Sequence, residues 1–469
     1  MSSLLGSSNK EHYSSYYYPS LPIEGPGAAQ YSRFNLVLIT ASFSYLLKYI
    51  FSYSWFTFFV VALITILPIG GLKLVYGSWF TSYPSAQHVS MPGLPIDSYI
   101  EILDEDLKKA YSGNSKIPME LFFESYFEGK INLRADCLQT LESRHDWAKF
   151  SLTYSQIKFF LFQFLPELIW HSKKQDEDQV RDHYDRGDDF YNAFLGETMI
   201  YTSGIVSDPT RKETLEELQQ NKLKDVCERL QLKAGDRHLD LGCGWGTLVN
   251  YAAKNYQSIS RGVTLGRNQA AYGNKKAKEL GTSKNAEIMC MDYRDVPRRP
   301  KYNKISCLEM AEHVGIRKFG EFLAQVKDML EDDGLFYLQI AGLRSAWQYE
   351  DFVWGLFMAK YVFPGADASC PLNWVVNQLE TAGFEIRSVD TIGIHYSATI
   401  GRWYENWMKN KDKIIKSYGK RWFRIWEIFL AWSTIVARQG TSTAFQILAH
   451  KNMNAFDRTL IIRKPIGSS

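Results

Sequence analysis

The stretch Arg237-His238-Leu239-Asp240-Leu241-Gly242-Cys243-Gly244-Trp245-Gly246 decides the fold of this chain. An apolar run ends in an acidic residue and a glycine-rich turn, and a helical pattern opens at Thr247. This order predicts a strand, a tight loop and the start of a helix. Because the loop carries little side chain, its backbone N–H groups can approach a ligand closely, and the positive end of the helix points to the same place.

The shortness of this loop favours S-adenosylmethionine as the ligand, since that cofactor has no pyrophosphate and needs no long phosphate cradle. A single glycine motif is also compatible with an ordinary turn between a strand and a helix. If the cofactor binds here, the loop residues expected to contact it are Asp240, Gly242, Cys243, Gly244, Trp245 and Gly246.

Strand and helix patterns alternate on both sides of this loop. Such alternation predicts an α/β fold with a Rossmann-like, doubly wound parallel sheet. Ligands of these sheets bind beyond the carboxyl ends of the strands. The expected strands are residues 238–241, 259–264, 286–291, 304–309, 335–340, 443–449 and 459–462, the expected helices are 214–230, 247–255, 268–280 and 317–330, and residues 332–334 are expected to form a turn.

Two apolar stretches near the N-terminus predict a helical hairpin in a membrane. Residues 55–76 carry one charged side chain, Lys73 near their end, and about 20 apolar residues suffice to cross a bilayer. Residues 34–51 are shorter, and Lys48 lies near their end, where a lysine can extend to the membrane surface. One spanning helix beside an interfacial helix, and a buried hairpin of a soluble protein, are the alternatives. Arg33 and Lys73 at the open end favour cytoplasmic termini.

The patterns divide the chain into four expected parts. Residues 1–32 are rich in Ser, Tyr, Pro and Gly and predict a disordered tail. Residues 33–80 are the membrane hairpin, 81–180 a helical linker region, and 181–469 the cofactor domain with lipid-binding insertions. The aromatic insertion 347–363 is typical of a substrate lid or lipid tunnel, and a simple core helix explains it equally well.

Charge and cysteine content exclude some classes of function. The formal net charge is +3, so no global field indicates a nucleic-acid partner. Residues 409–424 hold seven basic side chains against one acidic side chain, which fits either contact with anionic lipid headgroups or a solvated helix face. The six cysteines show no metal-ligand spacing. They predict reduced thiols and no metal site.

Several motifs, taken together and in order, resemble those of the cyclopropane-fatty-acid and mycolic-acid synthase-like methyltransferases. They cover roughly residues 180–410, and their joint occurrence is highly specific. The motifs are His183-Tyr184-Asp185, Tyr201-Thr202-Ser203, the LDLGCGWG run of residues 239–246, Gly262-Val263-Thr264-Leu265 with Asn268-Gln269, Asp292-Tyr293-Arg294-Asp295, Glu312-His313-Val314-Gly315, Tyr361-Val362-Phe363-Pro364-Gly365, and His395-Tyr396 with Trp403-Tyr404.

The resemblance implies a class I methyltransferase that uses S-adenosylmethionine. With the hairpin and the C-terminal extension included, the chain resembles the fungal branch of the family, which methylates carbon 9 of the sphingoid base in glucosylceramide. This implies a membrane sphingolipid substrate, a lipid bilayer as partner and a location in the endoplasmic reticulum or Golgi. The catalytic domain is expected to face the cytosol, where the cofactor is soluble. The oligomeric state stays open.

Further cofactor contacts come from the motifs beside the loop. The positions after the second strand often hold ribose hydroxyls in related folds, and the residues after the third strand are expected at the adenine end. Tyr201 and Thr202, which precede the first strand, are polar residues that suit the methionine end of the cofactor. Together with the matching motifs, these positions give Tyr201, Thr202, Thr264, Leu265, Asn268, Gln269, Tyr293 and Arg294 as expected contacts.

The chemistry of the implied substrate sets the demands on the site. An alkene is a poor nucleophile, and its methylation leaves positive charge on a chain carbon. The site must therefore exclude water, stabilise a cation and hold a base. Glu312, at the carboxyl side of the fourth strand, is the best acid–base candidate. The aromatic faces of Tyr396, Trp347 and Phe363 are candidates for stabilising the cation.

In the family, a bicarbonate ion acts as the base and is held by a cysteine, a glutamate, a histidine and a tyrosine. The resemblance places the glutamate at Glu312 and the tyrosine at Tyr396, whereas Ser203 stands at the cysteine position and Gln339 at the histidine position. These departures weigh against bound bicarbonate. They fit an altered base geometry, because a methyl-branched alkene forms by loss of a proton from the methylated chain carbon rather than from the new methyl group.

Two other functions remain open at this point. One is cyclopropanation of unsaturated phospholipid acyl chains, which the residues at the cysteine and histidine positions disfavour. The other is a non-catalytic membrane scaffold that binds the cofactor, which the intact Glu312, Tyr396 and glycine loop disfavour.

Overall fold

A computed structural model describes residues 25–28, 31–80, 92–166, 187–364 and 370–461. Its contacts form two compact units. The smaller unit comprises residues 20–163 with 345–358, and the larger unit comprises 164–344 with 359–469. Most of the predicted tail, the end of the predicted linker and the His183-Tyr184-Asp185 motif lie outside the described residues.

The first part of the chain, up to residue 166, forms seven helices and four short strands among the described residues. They are α1 (Arg33–Phe51), α2 (Trp55–Phe80), β1 (Ile100–Ile102), α3 (Glu105–Ala110), β2 (Ile117–Pro118), α4 (Met119–Phe127), β3 (Ile131–Leu133), α5 (Cys137–Glu142), α6 (Arg144–Trp147), β4 (Ala148–Lys149) and α7 (Tyr154–Phe159).

The helices α1 and α2 form the predicted hairpin. Both are long and apolar enough to cross a membrane, with mean hydropathy of 1.5 and 2.3 over their most apolar windows. Ser32 begins α1, because its hydroxyl accepts a hydrogen bond from the Asn35 amide at 3.1 Å. At the open end of the hairpin, Lys73 Nζ donates to the Ser32 carbonyl at 2.6 Å. The hairpin is therefore two packed helices that remain candidates for membrane spans.

The region predicted as a helical linker contains strands as well. β1 pairs antiparallel with β3, and β2 pairs parallel with β4. The spacing of the apolar side chains in this region is compatible with helices and with strands. These side chains pack around α4, where Phe122 contacts Trp147 with ring centroids 4.6 Å apart. A helical linker would leave these side chains exposed, whereas mixed structure buries them in a core of its own.

The rest of the described chain, from residue 187, forms a second series of elements. They are α8 (Asp188–Leu195), α9 (Leu215–Arg229), β5 (Arg237–Leu241), α10 (Thr247–Tyr256), β6 (Ile259–Thr264), α11 (Arg267–Glu279), β7 (Ala286–Cys290), β8 (Tyr302–Leu308), α12 (Phe319–Met329), β9 (Leu330–Leu343), α13 (Tyr349–Phe357), α14 (Leu372–Thr381), β10 (Phe384–Thr391), α15 (Gly393–Lys409), α16 (Lys411–Tyr418), α17 (Lys420–Arg438) and β11 (Ser442–Lys451).

The larger unit contains a seven-stranded sheet in the order β10-β11-β9-β8-β5-β6-β7. Strands β5 to β9 pair in parallel, with β5 at the centre between β6 and β8. The predicted Rossmann-like α/β fold is thus confirmed. The sheet is mixed rather than wholly parallel, because β11 runs antiparallel to both β9 and β10.

Three local predictions are wrong. Residues 332–334 lie inside β9 instead of forming a turn, and the pairing of β8 with β9 shifts register between Tyr302 and Lys304. Of the predicted strand 459–462, residue 462 lies outside the described residues and the rest is not a strand, since Arg458–Ile461 is a short 3-10 helix and the Asp457 carboxylate accepts from the Thr459 amide at 2.9 Å. The strand β10 was not expected, because its half-buried residues lack a clear alternation.

The aromatic insertion 347–363 and the apolar run after residue 422 both contribute side chains to the protein core. In the smaller unit, Phe357 of α13 packs against Phe123 with ring centroids 5.2 Å apart, as the core-helix alternative expects. In the larger unit, the apolar residues of α17 are buried, while the basic residues of α16 are exposed. The apolar run after residue 422 is therefore protein core, and only the basic stretch before it forms an exposed face.

Candidate active site

The glycine loop leaves β5 at the carboxyl edge of the sheet, as predicted. The amides of Gly242 and Cys243 donate to the Val263 carbonyl at 3.0 and 2.9 Å, which fixes the loop against β6. Gly242 has a φ of +76°. A Cβ atom there would lie 2.4 Å from Met310 Cγ, so only glycine fits. At Gly244, by contrast, a Cβ atom would meet no atom within 4 Å.

A cavity of about 110 Å³ adjoins this open face of the loop. Its walls combine backbone of the loop, apolar side chains and a few polar groups, which suits a cofactor with an adenine ring and an amino-acid end. Seven of the predicted cofactor residues line it, namely Gly242, Gly244, Thr264, Leu265, Gln269, Tyr293 and Arg294. The cavity is also lined by Val263, Met291, Asp292, Glu309, Met310 and His313.

Hydrogen bonds hold the polar groups of this cavity in place. Thr264 Oγ1 donates to Gln269 Oε1 at 2.6 Å, which orients the amide of a buried glutamine. Arg294 donates to both carboxylate oxygens of Asp292, at 2.8 and 2.7 Å. Such bidentate pairing fixes both side chains and leaves no uncompensated charge between them.

The other predicted loop residues support the loop and do not line the cavity. The buried ring of Trp245 donates from Nε1 to Asp188 Oδ1 at 3.0 Å, and Cys243 packs beneath Gly262. Asp240 accepts a hydrogen bond from Ser306 Oγ at 2.6 Å, and burial raises the pKa of its carboxyl to about 7. Gly246 begins α10.

Three further predicted contacts also lie elsewhere. Asn268 is exposed on α11, since neighbours on a helix turn to different sides. Tyr201 packs among aromatic rings, with its centroid 5.4 Å from that of Trp403 and 6.0 Å from that of Phe363. Thr202 accepts a hydrogen bond at its hydroxyl from the buried Lys222.

The predicted catalytic residues converge on a carboxylate that sequence reasoning missed. Glu309 follows β8 directly, with a φ of +54°. One of its oxygens accepts from the Ser203 amide at 2.9 Å and from Gln339 Nε2 at 2.6 Å. Its other oxygen accepts from the Tyr396 hydroxyl at 2.8 Å. Its position, an acid at the carboxyl end of the fourth strand, is the signal that could have found it.

The donors around Glu309 are themselves fixed. Gln339 is fully buried, and its Oε1 accepts from Gln446 Nε2 at 3.0 Å, so its own amide N–H group must face Glu309. The Ser203 hydroxyl donates to the Gly204 carbonyl at 2.9 Å. Ser203 therefore serves Glu309 through its backbone, and its side chain is not part of this set.

Glu312 lies beside Glu309 in a different environment. One of its oxygens accepts from the Ala341 amide, and the other has no hydrogen-bond partner among the described residues. Burial, followed by the charge of Glu309, raises the pKa of Glu312 to about 8. Glu312 is therefore mostly protonated at neutral pH.

Glu309 is better supplied with groups that favour its charged form. Burial raises its pKa, and this effect is opposed by the Ser203 amide, the Gln339 amide, the Tyr396 hydroxyl and the charge of Lys222. When two neighbouring carboxyl groups have environments this different, their pKa values move apart, and one group is charged more readily than the other. Glu309 is the member of the pair whose charged form is better stabilised, and Glu312 is the neutral one.

Comparison with known proteins agrees with this geometry. Residues 171–447, more than half of the chain, match the family model described as mycolic acid cyclopropane synthetase. The chain belongs to this family. Membership matches the resemblance that the sequence motifs indicate.

Curated relatives cover nearly the whole length of the chain. A sphingolipid C9-methyltransferase of Komagataella phaffii is 50% identical over 95% of this chain and 93% of the relative. Sphingolipid C9-methyltransferase A of Emericella nidulans is 59% identical over 80% of this chain and 73% of the relative. The family, these relatives and the fold make the chain an S-adenosylmethionine-dependent methyltransferase.

Solved structures match the larger part of the chain in fold. The cyclopropane synthase MmaA2 from Mycobacterium tuberculosis has a TM-score of 0.56 and 25% identity, covering 59% of this chain and 98% of that one. The mycolic acid cyclopropane synthase CmaA1, complexed with SAH and CTAB, has a TM-score of 0.54 and 23% identity over the same 59%. These structures support the class I methyltransferase fold.

Proposed function

We propose that this methyltransferase methylates carbon 9 of the sphingoid base of glucosylceramide. The names of the full-length relatives support a sphingolipid substrate. We also propose that the enzyme works in a lipid bilayer, in the endoplasmic reticulum or Golgi, with its catalytic unit facing the cytosol. The candidate membrane hairpin supports the bilayer. The observation that carries the reaction is the carboxylate of Glu309, held ready as a base among the predicted catalytic residues.

The reaction needs an electrophile, a base and protection from water. S-adenosylmethionine supplies an electrophilic methyl group when it is bound. Methylation of one carbon of the double bond leaves positive charge on the other. Glu309 accepts the proton from the methylated carbon, and the electrons of that C–H bond restore the double bond. The negative charge of Glu309 also stabilises the cation before the proton is transferred.

Bicarbonate does not fit this arrangement. The Gln339 amide and the Tyr396 hydroxyl, which stand at two of the four positions that the resemblance assigns to it, already donate to Glu309. The Ser203 amide does so as well. A side-chain carboxylate occupies the place where a separate anion would need these donors. We therefore assign the base to Glu309 and no step to bicarbonate, while Glu312 acts as the neutral neighbour.

A labelled cofactor tests the function against cyclopropanation. The purified chain is given S-adenosylmethionine with a trideuterated methyl group and a glucosylceramide whose carbon 9 belongs to a double bond. Loss of the proton from the chain carbon leaves all the deuterium in the methyl branch, whereas closure of a ring discards one deuteron from the added carbon. Lipid mass spectrometry distinguishes the two products. A product with one deuterium fewer, or turnover only on phospholipid, would exclude our assignment.

The scaffold alternative has a distinct outcome in the same assay. A scaffold would bind the cofactor, measured by calorimetry, and add no label to any lipid. The three donors aligned on Glu309 argue against it, because a scaffold needs no such costly buried carboxylate.

Replacement of Tyr396 by phenylalanine should shift the pH profile of turnover. The ordinary pKa of a glutamate is 4.5, and burial raises that of Glu309 while the Tyr396 hydroxyl opposes the rise. Turnover is therefore lost as the pH falls through the raised pKa. Removal of the hydroxyl raises this pKa further, so the acidic limb of kcat should move to higher pH, and kcat at neutral pH should fall by roughly tenfold. An unchanged limb would mean that this hydroxyl does not support the base.

The exposed basic residues of α16 should strengthen binding to anionic membranes. Lys413 and Lys416 are exposed and lie on one side of the helix, and each such charge near an anionic surface contributes about 1 kcal/mol. Substitution of both by glutamine should raise the KM for lipid substrate by up to about 30-fold in vesicles rich in phosphatidylserine. The effect should vanish in neutral vesicles. The matched control, glutamine at the exposed Lys275 and Lys278, should have no effect in either.

A further inference from the structure

A second cavity lies in the smaller unit and takes no part in the proposed reaction. Its volume is about 490 Å³, within the usual range of sites for small ligands. It is lined by the last residues of α2, by residues 149–154, and by Tyr349 and Glu350 of α13. We call it the hairpin cavity, because the second helix of the membrane hairpin forms one of its walls.

The position of α2 sets the level of this cavity at the membrane surface. Lys73 Nζ donates to the Ser32 carbonyl, so Lys73 is level with the first residue of the hairpin. The helix continues from there for seven residues to Phe80, which at 1.5 Å per residue is a rise of about 10 Å. The headgroup region beyond the hydrocarbon core is about 5–8 Å thick on each side, so the end of α2 reaches the outer edge of this region. Trp79 Nε1 donates to the Leu152 carbonyl at 2.7 Å, which attaches the cavity wall to this end of the helix.

Three donors that line the cavity make no hydrogen bond or ion pair within the described part of the chain. Tyr349 is the clearest of them, because its side chain is only 4% exposed and its hydroxyl still has no partner. The ammonium group of Lys149 and the hydroxyl of Ser151 are the others. The Tyr349 hydroxyl opens into the cavity rather than being sealed within the protein, so water or a ligand can satisfy it there. The cavity thus presents donors that await an acceptor.

The charge in the cavity favours an anion as that acceptor. Glu350 also lines it, but Arg144 Nε donates to its carboxylate at 2.6 Å, and this buried pair is electrically balanced. Burial lowers the pKa of His145, which is therefore neutral at pH 7. Lys149, which is exposed, carries the one charge of the lining that has no ion-pair partner among the described residues. A single positive charge with two hydroxyl donors suits a monoanionic oxygen ligand.

We propose that the hairpin cavity binds the phosphate group of a membrane phospholipid. A phosphodiester carries one negative charge and several acceptor oxygens, and in a bilayer it lies at the level that α2 sets for the cavity. The bound lipid would be a structural partner of the smaller unit and not the substrate, so the inference rests on the proposed membrane location of the hairpin and not on the proposed reaction. A neutral sugar headgroup would leave the charge of Lys149 without a partner.

Native mass spectrometry of the full-length chain in detergent micelles tests this inference. Phosphatidylcholine and diacylglycerol with matched chains are offered in turn. We expect one phosphatidylcholine to stay bound per chain, with at least tenfold higher occupancy than diacylglycerol, which lacks the phosphate. Equal retention of diacylglycerol would overturn the proposal. This comparison uses the unaltered protein, so it does not depend on whether any variant folds.

Variants then test the assigned donors. Lys149→Gln combined with Tyr349→Phe should lower the occupancy by phosphatidylcholine at least tenfold. The matched control is Lys158→Gln, which removes an exposed lysine of the same unit that does not line the cavity and should change nothing. Unchanged occupancy in the double variant would overturn the assignment. Displacement of the lipid by millimolar inorganic phosphate would show that the phosphate group alone is recognised, and resistance to it that the lipid chains contribute as well.

Discussion

Replacement of Glu309 by glutamine should lower kcat by about 10²- to 10⁴-fold at neutral pH, the usual contribution of a positioned general base. The amide keeps the size of the carboxylate but can neither take up a proton nor stabilise a cation with negative charge. The affinity for S-adenosylmethionine should change less, by about threefold, because the loop and the other lining residues stay in place. Turnover of lipid and calorimetric binding of the cofactor measure the two effects separately.

The neighbouring carboxyl group provides the matched control. Glu312→Gln should lower kcat by less than about tenfold, since burial already keeps Glu312 mostly protonated at pH 7 with a pKa of about 8. A neutral amide resembles a neutral carboxylic acid in size and charge. If Glu312→Gln instead abolished turnover while Glu309→Gln retained it, Glu312 would be the base and our assignment would be wrong.

A small anion offers a second test of the same assignment. Glu309 has a left-handed φ of +54°, so glycine is well suited to this position. Glu309→Gly should leave a space surrounded by the same donors, and added formate or bicarbonate should restore part of the lost activity. Failure of every small anion to restore turnover would argue that Glu309 holds the protein together rather than accepting a proton.

The sequence predicted the parallel core of the sheet because local signals there agree with the tertiary structure. β5 is a short apolar run followed by glycines, and α9 begins at Thr214 with a capping box formed with Glu217. The antiparallel part was harder to predict. Most residues of β10 are half-buried, and its pairing with β11 is decided by contacts between distant segments that no local pattern records.

The sequence predicted most of the residues that surround the candidate site, but it did not predict Glu309, the carboxylate at its centre. The family resemblance gave Ser203, Gln339 and Tyr396, which come from three separate segments of the chain. What they share is a partner, Glu309, that belongs to no quoted motif. Hydrogen-bond geometry in three dimensions identifies it, whereas a linear motif could mark only the Glu312 that follows three residues later. The same limit applies to Gln446, which orients Gln339 from a strand more than 100 residues away.

Replacement of Gly242 by alanine should reduce the affinity for S-adenosylmethionine by about 30-fold to several thousand-fold. The left-handed φ of +76° costs an alanine about 1–2 kcal/mol. Its methyl group would lie 2.4 Å from Met310 Cγ, and overpacking of this kind costs about 1–3 kcal/mol more. Met310 follows Glu309 directly, so relief of this clash moves the cavity wall and the base together. Turnover should therefore fall along with binding of the cofactor.

Two other glycines, Gly235 and Gly244, separate the effect of backbone strain from the effect of lost space. Both have a positive φ like Gly242, but neither has a neighbouring atom that an added methyl group would meet. Gly235, with a φ of +83°, precedes β5, and a methyl group added there would have no atom within 4 Å, so Gly235→Ala should lower the melting temperature slightly and leave cofactor affinity unchanged. Gly244 has a φ of +53° and the same open surroundings, but it lines the cavity. Gly244→Ala should match Gly235→Ala in stability and still lose affinity for the cofactor, since its methyl group would project where the ligand lies. Equal cofactor affinity in all three variants would mean that the cofactor does not rest against this loop.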